Sequence, residues 1–136
     1  MIQREISGIV RHFYFGTTTF KIIRQNTGLQ YIEEVFTHLS NKKKVGEEII
    51  GGKTIDKNEP VMSQLEHIDF LAEFIFACAK AAAITLKNEV DFNEADAAYW
   101  MDVLGYEDAM TLVLELINSY ADVGKNHQAP VMGQPA

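Results

Sequence analysis

The feature that most constrains this chain is the apolar run near its centre, from Phe70 to Ala83, which contains two charged residues, Glu73 and Lys80. Its apolar side chains occupy most sides of a helix, and such a helix is stable in water only at the centre of a folded domain. The pattern predicts a helix between Val61 and Leu86. Because nowhere in the chain do about 18 apolar residues follow one another, we do not expect a membrane partner.

Four further helices and a small hairpin are predicted around this centre. Two short strands on either side of Ser7 and Gly8 predict an N-terminal hairpin, because apolar and polar residues alternate before the glycine and β-branched and aromatic residues follow it. Apolar positions at helical spacing, with capping residues and glycine stops, predict the helices. The first follows Thr17 or Thr18 and ends at 26–28, the second covers 29–39, the third follows Asp91 or Asn93 and ends at Gly105, and the last covers 106–124.

These elements predict a mainly α fold, a compact bundle of about five helices with a short N-terminal β-hairpin. Residues 1–124 form a single domain, since a chain of 136 residues is the usual size for one hydrophobic core. The lysine- and glycine-rich residues 41–59 are expected to be a flexible connection, with a short β-like piece at 48–50. Residues 125–136, which contain two prolines and few apolar residues, are expected to be a disordered tail.

Charge is distributed unevenly along the chain. Residues 1–57 contain 9 Lys and Arg against 6 Asp and Glu, whereas residues 58–136 contain 3 against 13, so +3 and −10 give the net charge of −7. An acidic C-terminal part repels phosphate backbones, which argues against a nucleic-acid partner. The chain begins with no apolar stretch typical of a signal peptide, so a cytoplasmic location is expected.

The sequence carries no recognisable catalytic, cofactor or metal-binding pattern. Residues 52–54 (GKT) match the end of a phosphate-binding loop, but the first glycine of that pattern would fall at Glu47. The four histidines show no metal spacing, and Cys78 lies in the apolar run, where an inert buried thiol is expected. We therefore predict a protein that is not an enzyme and needs no cofactor, although catalytic groups can also converge from distant parts of a chain.

Two groups of residues are candidates for binding another protein. Tyr99, Trp100 and Met101 are of types enriched in interface cores. Trp100 and Met101 also fall on the predicted apolar face of their helix, so core packing is the commoner role for them and Tyr99 is the better candidate for exposure. The second group, an acidic stripe on one helical face, is more often a solvated surface than an acid–base site; it consists of Glu66, Asp69 and Glu73.

The order of these features resembles the tail assembly chaperones of long-tailed bacteriophages. The resemblance spans Ile6 to about Val123 and is one of architecture and spacing. Four stretches carry it: residues 13–16 (FYFG), 26–29 (NTGL), 69–75 (DFLAEFI) and 90–96 (VDFNEAD), the last leading into the helix that contains the tryptophan.

The resemblance implies a non-enzymatic role. Such proteins bind and solubilise the long, hydrophobic tape measure protein and help to recruit tail tube subunits, so these two proteins are the expected partners. An acidic helical domain with apolar grooves could cover amphipathic helices of such a partner. The alternative is a bacterial or phage adaptor or regulatory domain that binds one folded protein. Self-association into a homo-oligomer is compatible with either function.

Overall fold

The computed structural model describes residues 1–133, with side chains as far as Ala121. Two antiparallel hairpins and five helices follow one another along the chain. The strands and helices are β1 (Ile2–Ile6), β2 (Ile9–Phe13), α1 (Thr17–Thr27), α2 (Ile32–Ser40), β3 (Lys43–Ile50), β4 (Lys53–Glu59), α3 (Gln64–Leu86), α4 (Glu94–Leu104) and α5 (Tyr106–Gly133).

Helix α3 forms the centre of the core, as its apolar run predicts. Eleven of its residues are buried, from Phe70 to Ala83, and Phe74, Cys78 and Ala82 are completely inaccessible to solvent. The first turn is closed by a capping box, in which the Ser63 hydroxyl accepts from the Glu66 amide. Because α1, α2, α4 and strand β2 pack directly against α3, the fold is organised about a single apolar helix.

The first hairpin is the one expected from the sequence, and it belongs to the core. Ile2 pairs with Phe13 and Ile6 with Ile9, across a turn at Ser7 and Gly8 in which both residues have positive φ. Ile6 and Phe13 are buried. The Tyr14 amide donates to the Cys78 carbonyl of α3 at 3.0 Å, so the end of β2 is joined directly to the central helix.

The residue that begins α1 differs from the expectation. The N-cap is Gly16 rather than Thr17 or Thr18, and the side chain that serves the helix start is Thr19. Its hydroxyl accepts from the Gly16 amide at 3.1 Å and donates to the Tyr14 carbonyl at 2.6 Å. The expected stop is confirmed, since α1 ends at Gly28, whose φ of 78° suits glycine.

Helix α2 begins later than its apolar pattern suggests. It starts at Ile32 and not at Leu29. The Glu34 carboxylate accepts hydrogen bonds from the backbone amides of Gln30 and Tyr31, and Tyr31 is the N-cap of the helix. Its C-cap is Asn41, in the left-handed region.

Helices α4 and α5 meet at a glycine. Asn93 is the cap of α4, its side chain accepting from the Asp96 amide, and Asp96 accepts from the Asn93 amide. Gly105, with φ of 84°, ends α4 as expected. Helix α5 extends from Tyr106 to Gly133, past the end expected at Gly124. The proposed disorder of 125–136 lies outside the residues whose side chains are described and stays a prediction.

The second hairpin, β3 with β4, corrects the expected fold, which had one hairpin and only a short β-like piece at 48–50 within the flexible connection 41–59. Lys43 pairs with Glu59 and Ile50 with Lys53, and a turn at Gly51 and Gly52 joins the strands. The fold is therefore helix-dominated but mixed, with two hairpins rather than one. The flexibility of 41–59 stays a prediction.

Within residues 1–133, no helix has both the length and the apolar character required to cross a membrane.

Candidate protein-binding groove

Trp100 joins α4 to the first hairpin and to the loop that precedes α4. The indole is 4% exposed. It packs edge-to-face against Phe13 at 6.0 Å and in a tilted arrangement against Phe92 at 5.3 Å, measured between ring centroids. The Arg11 guanidinium lies 4.9 Å from the Trp100 ring and covers it on the solvent side. Trp100 is thus a core residue and not part of a free surface for a partner.

The opposite side of α4 leaves an open groove against α3, which we call the helix groove. Its volume is about 300 Å³, and a second depression of about 270 Å³ continues it toward the start of α3. Ile68 and Tyr106 line both depressions, so they form one continuous surface. The remaining lining residues are Gln64, His67, Asp69, Ala72, Ala98, Met101 and Asp102.

The helix groove is lined mainly by apolar side chains, together with two carboxylates. Ile68 is 44% exposed although it is a large apolar residue of the central helix. Ala72 of α3 and Ala98 of α4 both line the groove, and their small side chains leave room for another element. Asp69 and Asp102 supply the two carboxylates of the lining. This combination suits a ligand with apolar side chains flanked by cations.

The acidic residues predicted to share a face do line one surface, a second groove of about 490 Å³. Asp69 lines both grooves. Glu66 is committed to the backbone, because its carboxylate accepts from the Ser63 amide at 3.2 Å in the capping box of α3. The second groove also includes Asn26, Thr27, His38, Val61, Met62, Phe70 and Glu73.

Glu73 is the member of the stripe with a perturbed acidity. Burial raises the pKa of its carboxyl above the ordinary value, and the nearby Glu94 carboxylate raises it further, whereas the Asn26 amide opposes both. Its Oε1 atom is shielded from solvent without a hydrogen-bond partner. The two carboxylates therefore repel each other when both are ionised.

The histidines near these grooves are held by backbone carbonyls rather than arranged for chemistry. His38 Nδ1 lies 2.7 Å from the Glu34 carbonyl oxygen, and His67 Nε2 lies 2.8 Å from the Leu39 carbonyl oxygen. Among the described residues, no group of three or more His, Cys, Asp or Glu side chains is placed to hold a metal ion.

Of the first candidate group, Tyr99, Trp100 and Met101, only Met101 lines the helix groove. Tyr99 is 60% exposed, as expected, but lies outside the groove lining. Sequence reasoning missed Ile68, Ala72, Ala98 and Tyr106. The available signal was that Leu65, Ile68 and Ala72 form a second apolar stripe on α3, in addition to the stripe that the core needs.

Comparisons of the chain with models of protein families, with curated proteins and with solved structures found no match.

Proposed function

We propose that this protein is a non-enzymatic chaperone of phage tail assembly that binds amphipathic helices of a tape measure protein in the helix groove. The observation that carries the proposal is the groove between α3 and α4, with its mainly apolar lining and the two carboxylates of Asp69 and Asp102. The same surface would keep a long, hydrophobic helical protein soluble by covering its apolar faces. Recruitment of tail tube subunits, in the host cytoplasm, is part of the same proposal.

The groove suits a helical ligand for a physical reason. A helix binds a groove through side chains spaced about one turn apart. The two depressions that share Ile68 and Tyr106 can each take an apolar side chain of a single helix. The ligand's own basic residues would then face Asp69 and Asp102, and the acidic charge of residues 58–136 would steer them there.

The proposal is tested by co-expression with a phage tape measure protein and by the affinity of its helical segments for the purified chain. We expect more soluble tape measure protein when the wild-type chain is present. Ile68→Glu should weaken peptide binding by at least about tenfold, because it places a charge in the apolar part of the groove lining. Asp69→Asn with Asp102→Asn should weaken it less and reduce its salt dependence.

Leu114→Glu is the matched control, since Leu114 is also a large exposed apolar residue but lies on α5, away from the groove lining. Circular dichroism should show that both glutamate variants are folded. Unchanged solubility of the tape measure protein, or equal peptide binding by Ile68→Glu and the wild type, would show that the proposal is wrong. Capture of one compact folded partner in place of helical segments would favour an adaptor function.

A further inference from the structure

The second hairpin is exposed to solvent and contributes no residue to the helix groove. Every residue of β3 and β4 except Gly46 is exposed to solvent. The exposed set includes large apolar side chains, with Ile49 as much as 76% exposed, together with Val45, Ile50 and Ile55. A two-stranded ribbon with no cover on either face is only marginally stable in water, and three or more strands are normally needed.

The outer edge of β3 has a self-complementary order of charges. Residues 43–48 read KKVGEE, with two lysines before the centre and two glutamates after it. When a second copy of this strand runs antiparallel about a two-fold axis between Val45 and Gly46, each lysine meets a glutamate. Lys43 then lies opposite Glu48 of the second copy, and Lys44 opposite Glu47.

The bulge in β3 makes this register consistent with the faces of the sheet. Strict alternation would put Lys43 and Glu48 on opposite faces, which forbids their pairing across such an axis. The register shift between Lys44 and Gly46 adds one residue. After the shift, Lys43 and Glu48 pair with the odd-numbered residues of β4, so both lie on one face.

The ion pairs of the hairpin agree with this assignment of faces. Lys57 of β4 contacts Glu48 at 3.7 Å on the first face. Lys44 contacts Glu47 at 2.7 Å and Asp56 at 3.2 Å on the second face. These pairs are exposed and worth little individually, so their exchange for equivalent pairs with a second copy costs little.

We propose that β3 is a dimerisation edge, which pairs antiparallel with β3 of a second copy of this chain to give a four-stranded sheet. The proposal does not depend on the function of the helix groove. Residues 43–59 contain four lysines and four acidic residues, a net charge of zero, so the full −7 resides in the rest of the chain. The hairpin is therefore where two acidic copies approach with least repulsion. Lysines and bulges on an edge strand discourage pairing with unrelated strands. In β3 they also favour the antiparallel register with a second copy of the same strand.

The test is a charge exchange followed by sedimentation and light scattering over a range of concentrations. One variant carries Lys43→Glu and Lys44→Glu, and the other carries Glu47→Lys and Glu48→Lys. Each variant alone places like charges opposite each other, so its dimerisation should be at least about tenfold weaker than that of the wild type. An equimolar mixture places glutamates opposite lysines at all four positions, and the mixture should dimerise again.

Recovery on mixing separates pairing from folding, because a variant that had merely lost its hairpin would not be rescued by the other. Lys21→Glu with Lys53→Glu, which makes the same change in charge outside β3, should still dimerise. A wild-type chain that stays monomeric at millimolar concentration would contradict the proposal. So would dimers that both charge variants form as well as the wild type does, or variants that do not recover on mixing.

Discussion

Thr19 shows how a single hydroxyl can set the start of a helix. Among residues 1–121 it is the only polar residue that is buried, and it has no exposure to solvent. Its hydroxyl joins the Tyr14 carbonyl to the Gly16 amide, two backbone groups that the turn into α1 would otherwise leave unpaired. Thr19 therefore links β2 to α1, whereas the sequence placed the cap at Thr17 or Thr18.

Replacing Thr19 by valine, which has the same shape, should destabilise the fold by about 2 kcal/mol, because two buried backbone groups lose their partner. Thr19→Ser keeps the hydroxyl and loses one methyl group, so we expect a smaller cost of about 1 kcal/mol. Urea denaturation followed by circular dichroism measures both values. Equal costs for the two variants would mean that packing, and not hydrogen bonding, is the role of Thr19.

Glu73 should make stability depend on pH. The folded-state pKa of Glu73 is raised, so the native state binds more protons than the unfolded state above the ordinary pKa near 4.5. Stability is then lost as the pH rises from that value through the folded pKa. Glu73→Gln removes this loss and can donate to Glu94, so it should be more stable than the wild type at pH 7 by less than about 1 kcal/mol, with solvent screening taken into account.

The difference between Glu73→Gln and the wild type should shrink as the pH falls toward 4, because the wild-type carboxyl is then protonated. Thermal unfolding midpoints at several pH values provide the measurement. Glu89→Gln, in the exposed loop between α3 and α4, is the matched control for loss of one charge. A wild-type protein that is more stable than Glu73→Gln at pH 7 would contradict the assignment.

At the level of elements, the two hairpins show that similar strands can have different roles. The first is part of the core because Ile6 and Phe13 have α3 and α4 to pack against. The second has no comparable surface, and its strands stay exposed. The β3–β4 hairpin has a sequence signal of its own. Gly51 and Gly52 lie between two short stretches with β-branched residues, a pattern typical of a two-residue hairpin turn.

Asn41 holds the base of the second hairpin. Its side-chain oxygen accepts from the amides of Val61 and Met62, both at 2.9 Å, and its Nδ2 donates to the Met62 carbonyl at 3.1 Å. Its φ of 54° is also one that asparagine tolerates better than most residues. One side chain thus joins the end of α2 to the segment that precedes α3. It holds together the two chain segments that lead into β3 and out of β4.

Asn41→Ala should cost about 2 kcal/mol, because it removes three hydrogen bonds and puts alanine in the left-handed region. Asn41→Gly removes the same bonds without backbone strain, so the difference between the variants isolates the strain. Chemical denaturation gives the costs, and amide exchange should show faster opening of β3 and β4. If Asn41→Gly matches the wild type in both measurements, these hydrogen bonds contribute nothing to anchoring the hairpin.

At the level of the whole molecule, one aromatic cluster ties together helices that are distant in sequence. Phe15 lies 4.9 Å from Phe74 and 5.0 Å from Tyr120, measured between ring centroids, and it also contacts Phe20 and Phe36. Arg4 of β1 forms an ion pair with Glu115 of α5. Helices α1, α2, α3 and α5 therefore share one core, which should open as a unit.

Cys78 reports this cooperative opening. It is completely buried, and burial raises the pKa of its thiol well above the ordinary value. Alkylation by iodoacetamide should be negligible in the native state and should rise with denaturant in step with circular dichroism. Ser40→Cys in the Cys78→Ala background, with its thiol at an exposed position, should react at once and serves as the control. Fast labelling of native Cys78 would show that α3 is reached by local opening.

The sequence by itself determined the elements whose signals are local. A helix that is apolar on most sides must be central, so the position of α3 and the burial of Cys78 follow from its composition. Gly28 and Gly105 mark helix ends because their positive φ favours glycine. The acidic stripe of Glu66, Asp69 and Glu73 follows from helical spacing alone.

The tertiary structure decided what depends on contacts between distant residues. Thr19 and not Thr17 serves the start of α1 because β2 delivers the Tyr14 carbonyl to it. The helix groove exists because Trp100 fixes α4 on its other side, where Phe13 and Phe92 hold the indole. The spacing of apolar residues within one element does not predict these contacts, because each contact joins residues from separate elements. A pattern along one chain specifies which face of a helix is apolar, but only the packed neighbours determine whether that face is covered.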